Sequence, residues 1–258
     1  MVASELRANA RESLQGKWGK AALLTLCYAL ITFVINFVLS FIPVIGSLIA
    51  FVISLPISFG FLVSFIKLKR DEDITYTDFL NNGFSNFGKV WGVFGNMVLK
   101  MIIPIVLVVI FLIIFIVGMG GSAAGLIATN YSTHSYAGMA AGFGGVALVG
   151  LIGYFASLIY AVIKGYLYSL SYYVLYDNPD KSGKEIVETS ESLMRGNRWR
   201  FFWLSLTFIG WSILCTFTLG IGLLWLMPYI MVSFVCFYED LAGNSSSQKV
   251  ENDNPIEE

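Results

Sequence analysis

Apolar residues in this chain fall in three long runs with no charge inside them. No Asp, Glu, Lys or Arg occurs from Ala21 to Ile66, from Met101 to Ile163, or from Phe201 to Tyr238. A helix crossing a hydrocarbon core of ~30 Å needs only ~20 residues. The first run, 46 residues long, therefore folds back on itself. Pro43-Val44-Ile45-Gly46 is the natural corner, since Pro and Gly punctuate helices. Spans are expected near 21–42 and 45–66. The last run, 38 residues, divides at Leu219-Gly220-Ile221-Gly222 into spans near 201–219 and 222–238. The middle run holds spans near 95–117 and 144–172, joined by a Gly/Ala/Ser-rich connector over 118–145. The pattern predicts an all-α polytopic membrane protein with six transmembrane helices in three hairpins.

Composition agrees. Of 258 residues, 57% are hydrophobic and only 13% charged, and the mean hydropathy is +0.74. Soluble domains carry about 25% charged residues. The net charge of −1 says nothing about nucleic acid, and no nucleic-acid partner is expected; the distribution of charge matters more than its sum. Basic residues occupy alternate ends of the spans: Arg7, Arg11, Lys17 and Lys20, then Lys67, Lys69, Arg70 and Lys89, then Lys181, Lys184, Arg195, Arg198 and Arg200. The opposite connectors carry none. By the positive-inside rule both termini are expected in the cytoplasm. The first twenty residues are polar, and the apolar run after them is too long for a signal peptide, so an uncleaved first span is expected. The tail 242–258, acidic and nearly free of apolar residues, is expected to be disordered.

The three polar clusters share a plan. Ser4 to Gln15 precedes Gly16-Lys17-Trp18-Gly19-Lys20. Ser182 to Arg195 precedes Gly196-Asn197-Arg198-Trp199-Arg200. Thr75 to Asn82 precedes Gly83 and a segment ending in Lys89-Val90-Trp91. Ser182 with Glu185, and Thr75 with Asp78, have capping-box spacing. Gly16, Gly83 and Gly196 suit the left-handed residue that ends a helix. Each cluster thus predicts a short amphipathic interfacial helix, lying in the membrane plane ahead of its hairpin. Trp and basic residues at headgroup depth anchor it. The reading is a threefold repeat with units of about 4–70, 75–176 and 182–241, all within one membrane domain over 1–241.

Several segments also resemble a known family. They are Ala10-Arg11-Glu12-Ser13-Leu14 with Gly16-Lys17-Trp18-Gly19, Asp177-Asn178-Pro179, and Glu191 to Trp199. Phe208-Ile209-Gly210-Trp211, Thr218 to Gly222, Pro228-Tyr229, and Phe237-Tyr238-Glu239-Asp240-Leu241 complete the set. Together they are similar to the Gram-positive integral membrane family designated domain of unknown function 975. The resemblance implies a six-span protein of a bacterial cell membrane and carries no catalytic residues with it. The long connector 118–145 departs from the short one the family implies.

Candidate chemistry is sparse. Lys164 is the conspicuous charge inside a span, with Tyr160, Tyr168, Tyr172 and Tyr176 around it at steps of four. A buried cation with tyrosines and carbonyls nearby suits an anion, such as a lipid phosphate, a carboxylate or a peptide terminus. The competing reading is a lysine snorkelling to the headgroups. Lys164, Tyr160, Tyr168 and Tyr172 are the candidate ligand-binding residues. Asn36 and Asn96 are polar outliers suited to hydrogen bonds between helices. Tyr131, His134 and Tyr136 stand in the glycine-rich connector. Cys27, Cys215 and Cys236 read as buried thiols, and with one histidine no metal site is expected. No carboxylate lies in a span, so neither an enzyme nor a cofactor is expected. Two functions remain: binding or transport of an anionic or amphipathic ligand, and bacteriocin immunity or envelope homeostasis through a membrane-active peptide or partner protein. The bilayer itself is the first partner, with anionic lipid, a peptide or another membrane protein beside it.

Overall fold

The computed structural model describes the backbone of residues 2–128 and 135–253, with side chains at 2–124 and 142–243. Every element among the described residues is helical. The order is α1 (Ala3–Ser13), α2 (Trp18–Ser40), α3 (Ile45–Lys69), α4 (Asp78–Ser85), α5 (Phe87–Ala128), α6 (Ser135–Leu167), α7 (Ser171–Asp177), α8 (Gly183–Met194), α9 (Arg198–Phe217) and α10 (Leu223–Asp253). Six helices among the described residues are long and apolar enough to cross a membrane: α2, α3, α5, α6 continued by α7, α9 and α10. The chain forms two compact units, residues 1–96 with 168–258, and residues 97–167.

The first unit is built around the second half of α3 and the middle of α10. Phe59, Phe61, Val63, Phe65 and Ile66 of α3 are buried, as are Val232, Val235 and Phe237 of α10. The peripheral helices α2 and α9 leave apolar side chains uncovered, among them Phe33, Phe37, Trp203 and Ile213. Continuous exposed apolar surface of this kind suits lipid. The short helices turn their apolar residues into protein: Leu6, Ala10 and Leu14 from the first cluster, Phe79 of α4, and Ile186, Val187 and Met194 of α8 are all covered. α4 packs on α3, α8 on α7, and α1 on α10.

The α3–α4 contact is backbone on backbone. A Cβ on Gly60 would collide with the Phe79 carbonyl, and a Cβ on Gly83 with the Pro56 carbonyl. Gly83 therefore sits inside α4 and does not end it. The sequence assigns it the left-handed role that Gly16 (φ 73°) and Gly196 (φ 81°) do adopt. Gly83 is selected instead by close approach, because only a residue without Cβ lets two helix backbones touch. The capping box at Ser182–Glu185 forms in both directions. At Thr75–Asp78 only the reverse half forms, with the Thr75 N–H donating to Asp78 at 2.9 Å.

Pro56 explains a further contact. Lacking an N–H, it leaves the Val52 carbonyl one turn earlier without its helical donor. The Trp91 indole N–H donates to that carbonyl at 3.3 Å. Trp91, which the sequence places as a headgroup anchor, thus replaces a missing backbone bond. In an apolar setting an open carbonyl is costly enough to recruit it.

The second unit pairs the later part of α5 with α6. Gly118 abuts the Ala147 backbone, Gly150 abuts Phe115, and the Phe111 ring covers Gly153. The partner numbers fall along one helix as they rise along the other, so the two run antiparallel. Here the expected connector 118–145 is corrected: α5 continues to Ala128 and α6 resumes at Ser135. The small residues that read as a loop are a contact surface. Tyr131 and His134 lie outside the described residues, as does the side chain of Tyr136. The expected span 144–172 is also divided, because α6 ends at Leu167 and α7 begins at Ser171. At the C-terminus α10 runs to Asp253; residues 254–258 lie outside the described set.

Candidate functional site

The densest polar chemistry gathers where α3 and α7 end, against Tyr238 and Glu239 within α10. Arg70, just past α3, grips Asp177 at the end of α7 with two parallel bonds of 2.8 and 3.1 Å. Its Nε also reaches Glu239 of α10 at 3.3 Å. The Tyr238 hydroxyl donates to the second Asp177 oxygen at 2.9 Å. Lys69 pairs with Glu239, and the Tyr176 ring lies 5.6 Å from the Arg70 guanidinium. The hydrogen bond from Arg70 to Asp177 raises the arginine pKa further, so its charge is permanent. A planar fork meeting a carboxylate bidentately is both strong and directional.

Two further pairs flank this nexus. Lys17 pairs with Asp71 and donates to the Leu68 carbonyl at 3.2 Å. Arg200 pairs with Asp240 and lies over the Phe237 ring at 5.6 Å. Basic residues read as headgroup anchors therefore also hold the protein's own carboxylates. The signal was present in the sequence. Asp177 and Glu239 are the first acidic residues after the middle and last charge-free runs, and Lys69-Arg70 stand just after the first. Opposite charges just past the ends of separate charge-free runs point to pairing.

Beside the nexus lies an open cleft of about 490 Å³, lined by Asn9, Glu12, Ser13, Lys69, Cys236, Glu239 and Asp240. Its size falls within the range of ligand pockets, ~300–1,000 Å³. Glu239 and Asp240 are engaged by Lys69, Arg70 and Arg200, so Glu12 is the carboxylate with no counter-ion among the contacts described. Such a lining can hold a polar or charged headgroup. It offers no activated nucleophile, and no cluster of three His, Cys, Asp or Glu side chains able to hold a metal ion occurs among the described residues. All three cysteines are free thiols, Cys215 and Cys236 buried and Cys27 half-buried.

The residues chosen from sequence are divided between the units. Lys164 and Tyr160 come together in the second unit, with the ammonium 6.0 Å from the ring centroid. Tyr168 and Tyr172 belong to the first unit. Tyr168 is buried in the turn after α6, and Tyr172 stands on α7 against Phe59. The break at 168–170 interrupts the tyrosine spiral expected on one helix. Asn36 and Asn96 donate to carbonyls one turn back on their own helices, at 2.8 Å each, where bonds between helices were expected. Local back-bonding satisfies one amide hydrogen without a partner helix.

No curated protein and no solved structure matches this chain. A family profile described as "Protein of unknown function (DUF975)" matches residues 1–245. Together with the six apolar helices, the match means that this multi-pass membrane chain belongs to the DUF975 family.

Proposed function

We propose that this protein binds an amphipathic ligand without chemical turnover, in a bacterial cell membrane, with both termini cytoplasmic. The observation that carries the proposal is the charged cleft at Lys69, Glu12 and Glu239, set at one end of helices whose flanks are apolar and exposed. A headgroup would occupy the cleft while the apolar part lies along the helices. Binding is favoured over transport because the centre of the first unit is filled by fully buried Phe65, Ile66 and Phe237. The cleft carboxylates other than Glu12 are already paired, which argues against acid–base catalysis.

The same reading takes the fold as three units, each a short interfacial helix followed by a hairpin. The packing of α4 on α3, α8 on α7 and α1 on α10 supports it. In a cyclic repeat the first short helix would close onto the last long one, as α1 does. The test of the ligand is direct. Cys236→Trp should fill the cleft and abolish the phenotype of the intact protein in a deletion strain challenged with membrane-active peptides and envelope stresses. Full complementation by a normally inserted C236W protein would reject the cleft.

Glu12 favours a second reading, immunity or envelope protection through capture of a cationic membrane-active peptide. Glu12→Gln should then lose protection against cationic peptides selectively. The anion reading of Lys164 retains Tyr160 as its neighbour. Lys164→Met should weaken retention of anionic lipid on the purified protein if that reading holds, and leave it unchanged if the lysine only snorkels.

A further inference from the structure

A second cavity lies between α2 and α3, inside their uncharged stretch. It measures about 140 Å³ and is lined by Tyr28, Thr32, Asn36 and Ser54 among apolar neighbours such as Ile35 and Ile53. Tyr28, Thr32 and Asn36 are spaced by four residues and so follow one face of α2. Four polar side chains facing one crevice at membrane depth call for hydrogen-bond partners. A bond across the two helices is formed by Tyr28, whose hydroxyl lies 3.3 Å from Ser58. The others each bond within their own helix. Thr32 donates to the Tyr28 carbonyl at 2.7 Å, Asn36 to the Thr32 carbonyl at 2.8 Å, and Ser54 to the Phe51 carbonyl at 2.8 Å.

What remains on the crevice walls is mostly acceptor capacity: the Asn36 amide oxygen and the free lone pairs of the Thr32 and Ser54 hydroxyls. The occupant that suits these walls donates hydrogens, and Asn36 keeps its second amide hydrogen to give to an oxygen of that occupant. It must also be uncharged, because no Asp, Glu, Lys or Arg occurs between Ala21 and Ile66. The cavity has room for several water-sized groups, enough for a short polyol end. Stacking on Phe61, with centroids 4.0 Å apart, holds the Tyr28 ring in place. Apolar side chains at Phe33, Phe37, Leu48 and Phe51 are exposed on the same two helices and suit an acyl chain.

We infer that the α2–α3 crevice binds the uncharged glyceryl end of a lipid, with Thr32, Asn36 and Ser54 accepting its hydroxyl hydrogens. This site shares no residue with the charged cleft and stands whether or not the cleft binds a ligand. The experiment uses the full chain in lauryldimethylamine oxide, a detergent without hydroxyls, and follows thermal unfolding by circular dichroism. Addition of 1-monoolein to about tenfold saturation should raise the midpoint on the order of 3–5 °C. Methyl oleate, with the same chain and no donor, should leave it unchanged. Thr32→Val with Asn36→Leu should abolish the monoolein shift; if that pair does not fold, Thr32→Val alone and Ser54→Ala alone should each cut it by about half. An equal shift with methyl oleate, an equal shift with free glycerol, or a full monoolein shift in the variants would overturn the inference.

Discussion

The two compact units use the same kind of element and opposite means of holding it. In residues 1–96 and 168–258, helix ends are tied by carboxylates and guanidinium groups, and short helices wedge between long ones. In residues 97–167 the charged side chains are Lys100 and Lys164, with no acidic residue, and the helices meet through glycine. The difference follows from surroundings. Apolar attraction between helices is weak in lipid, so association there relies on close fit. Where helices emerge toward water, partly exposed ion pairs add direction, though each is worth little by itself. A glycine-rich stretch is thus as much a packing surface as a hinge.

Substitutions that add one atom group at the contact points test this contrast most severely. Gly60→Ala drives a methyl into the Phe79 backbone, and neither backbone can yield by rotating a side chain. We expect roughly 3 kcal/mol or more of lost stability, near the upper end for overpacking. Thermal denaturation in detergent should show the first unit unfolding early. Gly150→Ala sets a methyl 2.5 Å from the Phe115 amide nitrogen. Its cost should be smaller, about 2 kcal/mol, because one helix of a pair can slide or tilt. Protease cleavage within residues 97–167 should rise while the first unit keeps its protection. If both substitutions loosen both units equally, the contrast between them fails.

The ion pairs rank next. Arg70→Met removes the clamp on Asp177 and Glu239 and leaves Asp177 with Tyr238 as its remaining described donor. The pair is half-buried, so the loss should be about 2 kcal/mol, between the values for exposed and buried pairs. Measured unfolding should show it, with Asp177→Asn adding little in the double variant. The smallest effect concerns Glu185 at the start of α8. Hydrogen bonds from the Ser182 backbone and side chain lower its carboxyl pKa in the folded protein. Its contribution is therefore present above the unfolded carboxyl pKa and is lost as pH falls through the lower folded value. Glu185→Gln should flatten that acidic limb slightly and leave neutral stability almost unchanged. Hydrogen exchange at the first turn of α8 would detect it.

Much of the fold could be read from the chain. The charge-free runs located all six long helices, since burying a charge in hydrocarbon is expensive enough to leave a blank. The corner at Pro43 to Gly46 and the turn at Leu219 to Gly222 were legible from their Pro and Gly. At the corner, however, the positive φ falls on Val44 (61°) and Gly46 is needed for close approach to the Leu39 carbonyl, and at the turn Gly220 (84°) shares it with Leu219 (52°). The left-handed ends at Gly16 and Gly196 were legible because a positive φ favours Gly. Gly83, Gly118 and Gly121 were misread, because a glycine needed for close approach has the same signature as one needed for a turn. The Lys164 constellation was drawn on one helix, and a break at 168–170, with only Gly165 in the turn before it as a signal, divided the residues.

The sequence by itself determined the class of this protein, its six long helices and the ends where charge collects. Those follow from the cost of placing polar groups in an apolar medium, which acts on each segment independently. Only the tertiary structure decided which charges meet, that Trp91 serves the carbonyl freed by Pro56, and that Thr32, Asn36 and Ser54 open on a shared crevice. These depend on distances between segments far apart in the chain, and side-chain order along a helix carries no record of what lies across from it.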